Sequence, residues 1–142
     1  MKVREIMTKD VEVIREDSSL MQAASLMKRL DIGFIPVSNG KEIVGVLTDR
    51  DITLKAIVAG EECSRVEVRE VMSRDVKWVS EDAPLSRAVG IMEEHQIRRL
   101  PVRDSEDNLV GVISLGDIAV KADLGKAAEA LEMISEPAAP AR

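Results

Sequence analysis

A chain of 142 residues, 45% of them hydrophobic, suits one globular unit or two small halves sharing a core, because a domain of about 60 residues is marginal alone. Phe34 and Trp78 are the only aromatics, which leaves no stacking platform for nucleic acid, and a net charge of −6 with a pI near 4.9 argues against polyanions and anionic membranes as partners. Cys63 is the only cysteine, so no internal disulfide is possible and a cytoplasmic protein is expected; the opening MKVREIM and the absence of any run of about 18 apolar residues predict neither signal peptide nor membrane span.

The elements come in two rounds. Val3-Arg4-Glu5-Ile6-Met7 returns as Val68-Arg69-Glu70-Val71-Met72, an offset of 65 that also pairs Leu20 with Leu85, Met27 with Met92 and Pro36-Val37 with Pro101-Val102. One extra residue then shifts the offset to 66, pairing Val44-Gly45-Val46 with Val110-Gly111-Val112 and Lys55-Ala56 with Lys121-Ala122. In chain order, Val11-Glu12-Val13-Ile14 reads as a short strand. Leu20, Ala23, Ala24, Met27 and Leu30 form a helical stripe that Asp17 or Ser19 can cap. Two apolar strands follow, Phe34-Ile35-Pro36-Val37 and Ile43-Val44-Gly45-Val46-Leu47, split by the hairpin signal Asn39-Gly40, and a second helix is expected from about Asp49 to Ala59.

The second round repeats the order. Leu85, Ala88, Val89 and Met92 make the stripe, with Asp82 as expected cap and Pro84 in the first turn; Arg103 to Asn108 is a longer, acidic strand connection; and a helix from about Leu115 runs on through Leu131. The tail from Ser135, rich in proline and alanine, is expected to be disordered. The predicted divisions are a first repeat over 1–60, a linker over 61–67, a second repeat over 68–124, and a helical extension with tail over 125–142. Each repeat reads βαββα. The expected fold is α+β, two three-stranded sheets packed face to face with pseudo-twofold symmetry, since one such sheet leaves apolar surface uncovered.

Both repeats close their last strand with a hydroxyl residue and place an aspartate three positions on: Thr48 with Asp51, and Ser114 with Asp117. One reading is a capping box at the start of a helix, although its reciprocal arm prefers Glu or Gln to the shorter Asp. The other is half of a ligand site, in which amides at the helix start accept an anion and the carboxylate accepts from the vicinal hydroxyls of a ribose. Gly45 and Gly111, three positions earlier, permit close approach of backbone or ligand, or relieve packing.

The doubled pattern M-[ST]-x-D-V, a capped L-x-x-A helix, I-x-x-h-P-V and G-h-h-[ST]-x-x-D resembles the cystathionine-β-synthase (CBS) domain family and covers most of the chain. The resemblance implies a paired-repeat, or Bateman, module whose two clefts hold adenosine-containing ligands: AMP, ADP, ATP or S-adenosylmethionine. On that basis Thr48, Asp51, Ser114 and Asp117 would hold ribose. Arg98 and Arg99, just before a strand, and Arg50 in the TDRD turn would meet phosphate. Val11 at the Asp117 cleft and Val76 at the Asp51 cleft would offer backbone to adenine, beside Ile35 or Leu100. The arginines have an alternative as surface charges, with Glu93, Glu94 or Asp104 as partners for Arg98 and Arg99 and Asp49 near Arg50.

His95 sits on or beside the buried stripe, Cys63 lies among acids, and no second histidine exists, so neither a metal centre nor a catalytic pair is expected. The seven methionines read as core filler. The implied function is a non-enzymatic sensor with no required cofactor, an adenine nucleotide as regulatory ligand, a homodimeric state and a protein partner that reads occupancy. The alternative is a scaffold with empty clefts.

Overall fold

The computed structural model describes residues 1–137 and divides the chain into two compact units. The middle unit is Glu12–Val76; the composite unit joins Met1–Val11 to the chain from Lys77 on. These units are cut differently from the sequence repeats.

In the middle unit, β1 (Ile14–Arg15), β2 (Phe34–Ser38) and β3 (Ile43–Thr48) form one sheet in that order, β1 parallel and β3 antiparallel to β2. Helix α1 (Leu20–Leu30) starts at Ser19, whose hydroxyl accepts from the Gln22 amide while the Gln22 side chain accepts from the Ser19 amide. That settles the choice between Asp17 and Ser19. The β2–β3 turn closes on the Asn39 side chain, which accepts from the amides of Lys41 and Glu42, with Gly40 at φ +100°. Helix α2 begins as one α-turn, Asp49–Asp51, and widens into a π-helix over Ile52–Ile57.

The composite unit repeats this plan with β4 (Val79–Ser80), α3 (Leu85–His95), β5 (Arg99–Arg103), β6 (Leu109–Ser114) and α4 (Leu115–Lys121), then adds α5 (Leu124–Ser135). The hairpin registers match residue for residue: Phe34 faces Thr48 as Arg99 faces Ser114, and each hairpin bulges at its end, after Val37 and after Val102. The longer β5–β6 connection is held by Asp104, whose carboxylate accepts from the amides of Glu106 and Asn108 at 2.9 Å. The Asn108 amide keeps that carboxyl below its ordinary pKa.

The leading segments explain the mismatch between repeats and units. Val3 and Arg4 donate to the carbonyls of Ala83 and Glu81, and Thr8 bridges Val112, all inside the composite unit. Val68 and Arg69 donate to Ser18 and Glu16, and Ser73 bridges Val46, inside the middle unit. Each repeat's opening turn therefore serves the body of the other. Both cores are aliphatic: Leu20, Met27, Ile35, Leu47 and Val68 anchor one, and Val3, Met92, Leu100, Ile113 and Ile118 the other. Neither aromatic residue is fully buried; Trp78 lies half-buried with the Arg103 guanidinium 5.7 Å over its ring.

Three expectations change, and a fourth lies mostly outside the described residues. The first strand is Ile14–Arg15 rather than Val11–Ile14, because Asp10 turns to φ +56° and the chain up to Thr8 is occupied with β6. Asp82 does not cap α3: Pro84 holds the N-cap position, Asp82 pairs with Arg4, and the Met1 carbonyl accepts from the Leu85 amide. The helix from Leu115 is not continuous. It stops at Ala122, and Asp123 caps a new helix by accepting from Lys126. The disordered-tail expectation falls mostly on residues 138–142, outside the described ones, while Ser135 itself closes α5.

Candidate functional site

The ends of β3 and β6 form two corners of one design. Thr48 Oγ1 accepts from the Asp51 amide at 3.1 Å, and Asp51 Oδ2 accepts from the Thr48 amide at 3.0 Å. Ser114 Oγ accepts from the Asp117 amide at 3.0 Å, and Asp117 Oδ2 accepts from the Ser114 amide at 3.0 Å. Both are complete capping boxes, so the short aspartate does reach back. It also follows that neither aspartate turns wholly outward while the hydroxyl caps: one oxygen of each is already on main chain.

The other oxygen faces a lysine one turn on. Asp51 Oδ1 lies 3.3 Å from Lys55 Nζ, and Asp117 Oδ1 lies 3.7 Å from Lys121 Nζ. The aspartate side chains keep 18% of their surface and the lysines about half. Each ammonium also donates to a leading-segment carbonyl, Lys55 to Val71 and Lys121 to Ile6. A carboxylate has about four acceptor positions, so each Oδ1 retains capacity for a further donor beside its lysine. The sequence reading did not assign Lys55 and Lys121 to the site. The signal was present as an Asp-x-x-x-Lys spacing in both repeats.

Gly45 and Gly111 serve backbone approach. A methyl group on Gly45 would stand 2.7 Å from the Ser73 carbonyl oxygen and from Met72 Sδ; on Gly111 it would stand 2.8 Å from the Thr8 carbonyl oxygen and 2.7 Å from Met7 Sδ. Gly45→Ala and Gly111→Ala should each cost about 1–3 kcal/mol through overpacking, read as a lower urea midpoint by circular dichroism. An unchanged midpoint would mean that the leading segments do not lie against these strands.

The other expected site residues sort by unit. Val76, Ile35 and Arg50 share the middle unit with Thr48 and Asp51; Val11, Leu100, Arg98 and Arg99 share the composite unit with Ser114 and Asp117. Val11 and Val76 are half-buried, three residues beyond the bridges at Thr8 and Ser73. Ile35 and Leu100 are fully enclosed and face Leu47 and Ile113 across their hairpins. The expectation that they line adenine is therefore corrected: strand alternation turns them into the cores and turns their neighbours Phe34 and Arg99 to the other face.

Arg98 and Arg99 are both exposed, and among the described residues neither side chain pairs with a carboxylate; Glu94 instead meets His95, and Arg103 meets Asp107. The Arg98 carbonyl accepts from the Leu115 amide at 2.9 Å, as Gly33 accepts from Asp49 at 3.1 Å. Arg50 is exposed on the first turn of α2, its amide donating to Asp49 Oδ1. His95 closes α3 and belongs to neither corner.

A separate open concavity of about 510 Å³ lies in the middle unit, lined by Asp17, Ser19, Gln22, Ser64, Arg65 and Glu67 among others, none of which belongs to a corner. Among the described residues no group of three metal-ligating side chains forms, and no helix is long and apolar enough to cross a membrane.

A family model for the CBS domain matches residues 3–56 and 68–124. The CBS domain-containing protein YhcV of Bacillus subtilis is 41% identical over 118 residues, 83% of either chain. The structure of a putative signal-transduction protein with CBS domains from Burkholderia ambifaria aligns with a TM-score of 0.79 at 28% identity, covering 87% of this chain and 96% of that one. The CBS domain pair of protein MJ0100, in complex with 5′-methylthioadenosine and S-adenosyl-L-methionine, aligns with a TM-score of 0.75 at 26% identity, covering 84% and 94%.

Proposed function

Since this chain belongs to the CBS-domain family and carries two copies of the domain, we propose that it is a non-catalytic regulatory module that binds adenosine-containing ligands at its Thr48/Asp51 and Ser114/Asp117 corners. The observation that carries this reading is the twin Oδ1, held at a strand end beside an exposed lysine in both units. A ribose diol donates to that oxygen, while Arg98 and Arg99 supply positive charge for a 5′ substituent and Arg50 supplies a charge that the adjacent Asp49 offsets. The MJ0100 domain pair, which holds two adenosyl ligands, supports the ligand class. Occupancy shifts the module between states by differential affinity, and a protein partner reads the shift.

Titrating the protein with AMP, ADP, ATP, S-adenosylmethionine and NAD while following thermal unfolding tests the reading. A specific ligand at a hundredfold excess over Kd stabilises by about 2.7 kcal/mol. A midpoint that no adenosyl ligand moves would favour the second reading, a scaffold without ligand, for which the carboxylates are caps alone; their bonds to the Thr48 and Ser114 amides are the observation on its side.

The module is further proposed to be a homodimer through helical faces. On α2 and just beyond it, Ile57 and Val58 are 59% and 73% exposed, more apolar surface than a solvated helix requires. Ile57→Glu should convert a species of twice 15.6 kDa to one of 15.6 kDa in sedimentation equilibrium. A dimer that survives the substitution would move the contact elsewhere.

A further inference from the structure

Resting on that reading of the corners, we propose that the two corners divide adenosyl ligands by charge. The Ser114/Asp117 corner takes phosphorylated adenosines, and the Thr48/Asp51 corner takes adenosyl compounds whose 5′ group is neutral or cationic. The backbone of the two corners is the same. The amide at the first helical position donates to the residue that precedes the hairpin strand, and the hydroxyl residue faces that strand's first residue, in both units. What differs is the side chains on this shared frame. Gly33, Phe34, Asp49 and Arg50 on one stand where Arg98, Arg99, Leu115 and Gly116 stand on the other.

The exchange is steric as well as electrostatic. A Cβ on Gly33 would meet Asp49 Oδ2 at 2.9 Å, so the Asp49 carboxylate fills the space into which a side chain at position 33 would extend. At the matching place in the composite unit, Arg98 extends, and Leu115 has withdrawn into the core. One corner thus has a carboxylate at the position where the other has a guanidinium. Asp49, Arg50, Asp51 and Lys55 cancel in formal charge, whereas Arg98, Arg99 and Lys121 against Asp117 leave two positive charges. Arg50 is matched by the adjacent Asp49 and offers no net attraction to phosphate. Phe34, opposite Thr48, presents an apolar face where Arg99 presents a fork of N–H donors. A dianionic phosphate is drawn to the second arrangement and repelled by Asp49 in the first; a methylthio or sulfonium group meets no such penalty there.

Calorimetric titration with AMP and with 5′-methylthioadenosine compares two adenosines that differ only at the 5′ position. In the native chain AMP should prefer one site over the other by about tenfold or more, a difference of about 1.4 kcal/mol, and the preference should shrink as salt is raised. The double substitution Arg98→Ala with Arg99→Ala should weaken AMP by about that factor and leave 5′-methylthioadenosine within about twofold. Asp49→Asn should strengthen AMP at the weaker site. Equal affinities of the two ligands at both sites, equal loss of both on removing the arginines, or an Asp49→Asn variant with unchanged AMP binding would overturn the charge division while leaving adenosine binding intact. Failure of AMP alone to bind, or of 5′-methylthioadenosine alone, would overturn the charge division only, whereas failure of both, and of ATP and S-adenosylmethionine, would overturn the underlying function and this inference together.

Discussion

Val3→Asp is expected to strip hydrogen-exchange protection from β5 and β6 while β2 and β3 keep theirs. Val3 opens the first repeat in sequence, yet it is fully buried in the core of the composite unit, and its amide donates to the Ala83 carbonyl at 2.9 Å. A carboxylate there must be ionised without a partner or protonated against its ordinary pKa, and either course costs several kcal/mol, a large part of a stability of about 5–15 kcal/mol. Val68→Asp, the same change 65 residues later, should instead expose Ile35 and Leu47, whose unit contains Val68. Native-state exchange at the amides of Leu100, Ile113, Ile35 and Leu47 reads both outcomes. If Val3→Asp released Ile35 and Leu47 first, the leading segments would belong to their own repeats.

The paired substitution Asp51→Asn with Asp117→Asn should abolish the ligand-induced rise in unfolding temperature and lower the unliganded midpoint only slightly. Asparagine retains an oxygen to accept from the Thr48 or Ser114 amide, so most of each capping box survives. Its amide nitrogen then faces the lysine as a second donor, which removes the ion pair and the acceptor for a ribose hydroxyl together. The lost pairs are half-exposed, with contacts of 3.3 and 3.7 Å, and such pairs contribute about 0.3–0.5 kcal/mol after screening. The ligand term of about 2.7 kcal/mol at hundredfold excess dominates. Alanine at these positions would be a poorer test, because loss of the cap alone costs about 0.5–2 kcal/mol. A full ligand shift in the asparagine double variant would remove the carboxylates from the binding account.

Much of this was readable in the residues themselves. The single 65-to-66 slip and Asn39-Gly40 between apolar runs each have one physical solution, and the fold adopts it; the residues narrow the cap of α1 to Asp17 or Ser19, and the Gln22 side chain decides for Ser19. The exchange of opening turns was not readable, because Val-Arg-Glu-Ile-Met and Val-Arg-Glu-Val-Met are near copies that fit either body. The break at Ala122 carried no warning either: alanine is the strongest helix former, and only Asp123, three before Lys126, hinted at a new start. Within Phe34-Ile35-Pro36-Val37 a continuous apolar run gives no clue to which face is inward, so nothing in it tests the family-implied place of Ile35 beside adenine, and the side chain is sealed in the core. At the corners, sequence named the hydroxyl and the acid but left open where the carboxylate points. The geometry answers with both options in one group, one oxygen inward on main chain and one beside a lysine.

Trp78 sits in the composite unit under the Arg103 guanidinium, and the chain has no tyrosine. Intrinsic emission is therefore a one-sided lamp. It reports on the surroundings of that one ring, so a shift in emission marks the loosening of Arg103 and β5 from Trp78. A fluorescence melt set beside a far-ultraviolet ellipticity melt compares that one place with the backbone as a whole, without any label.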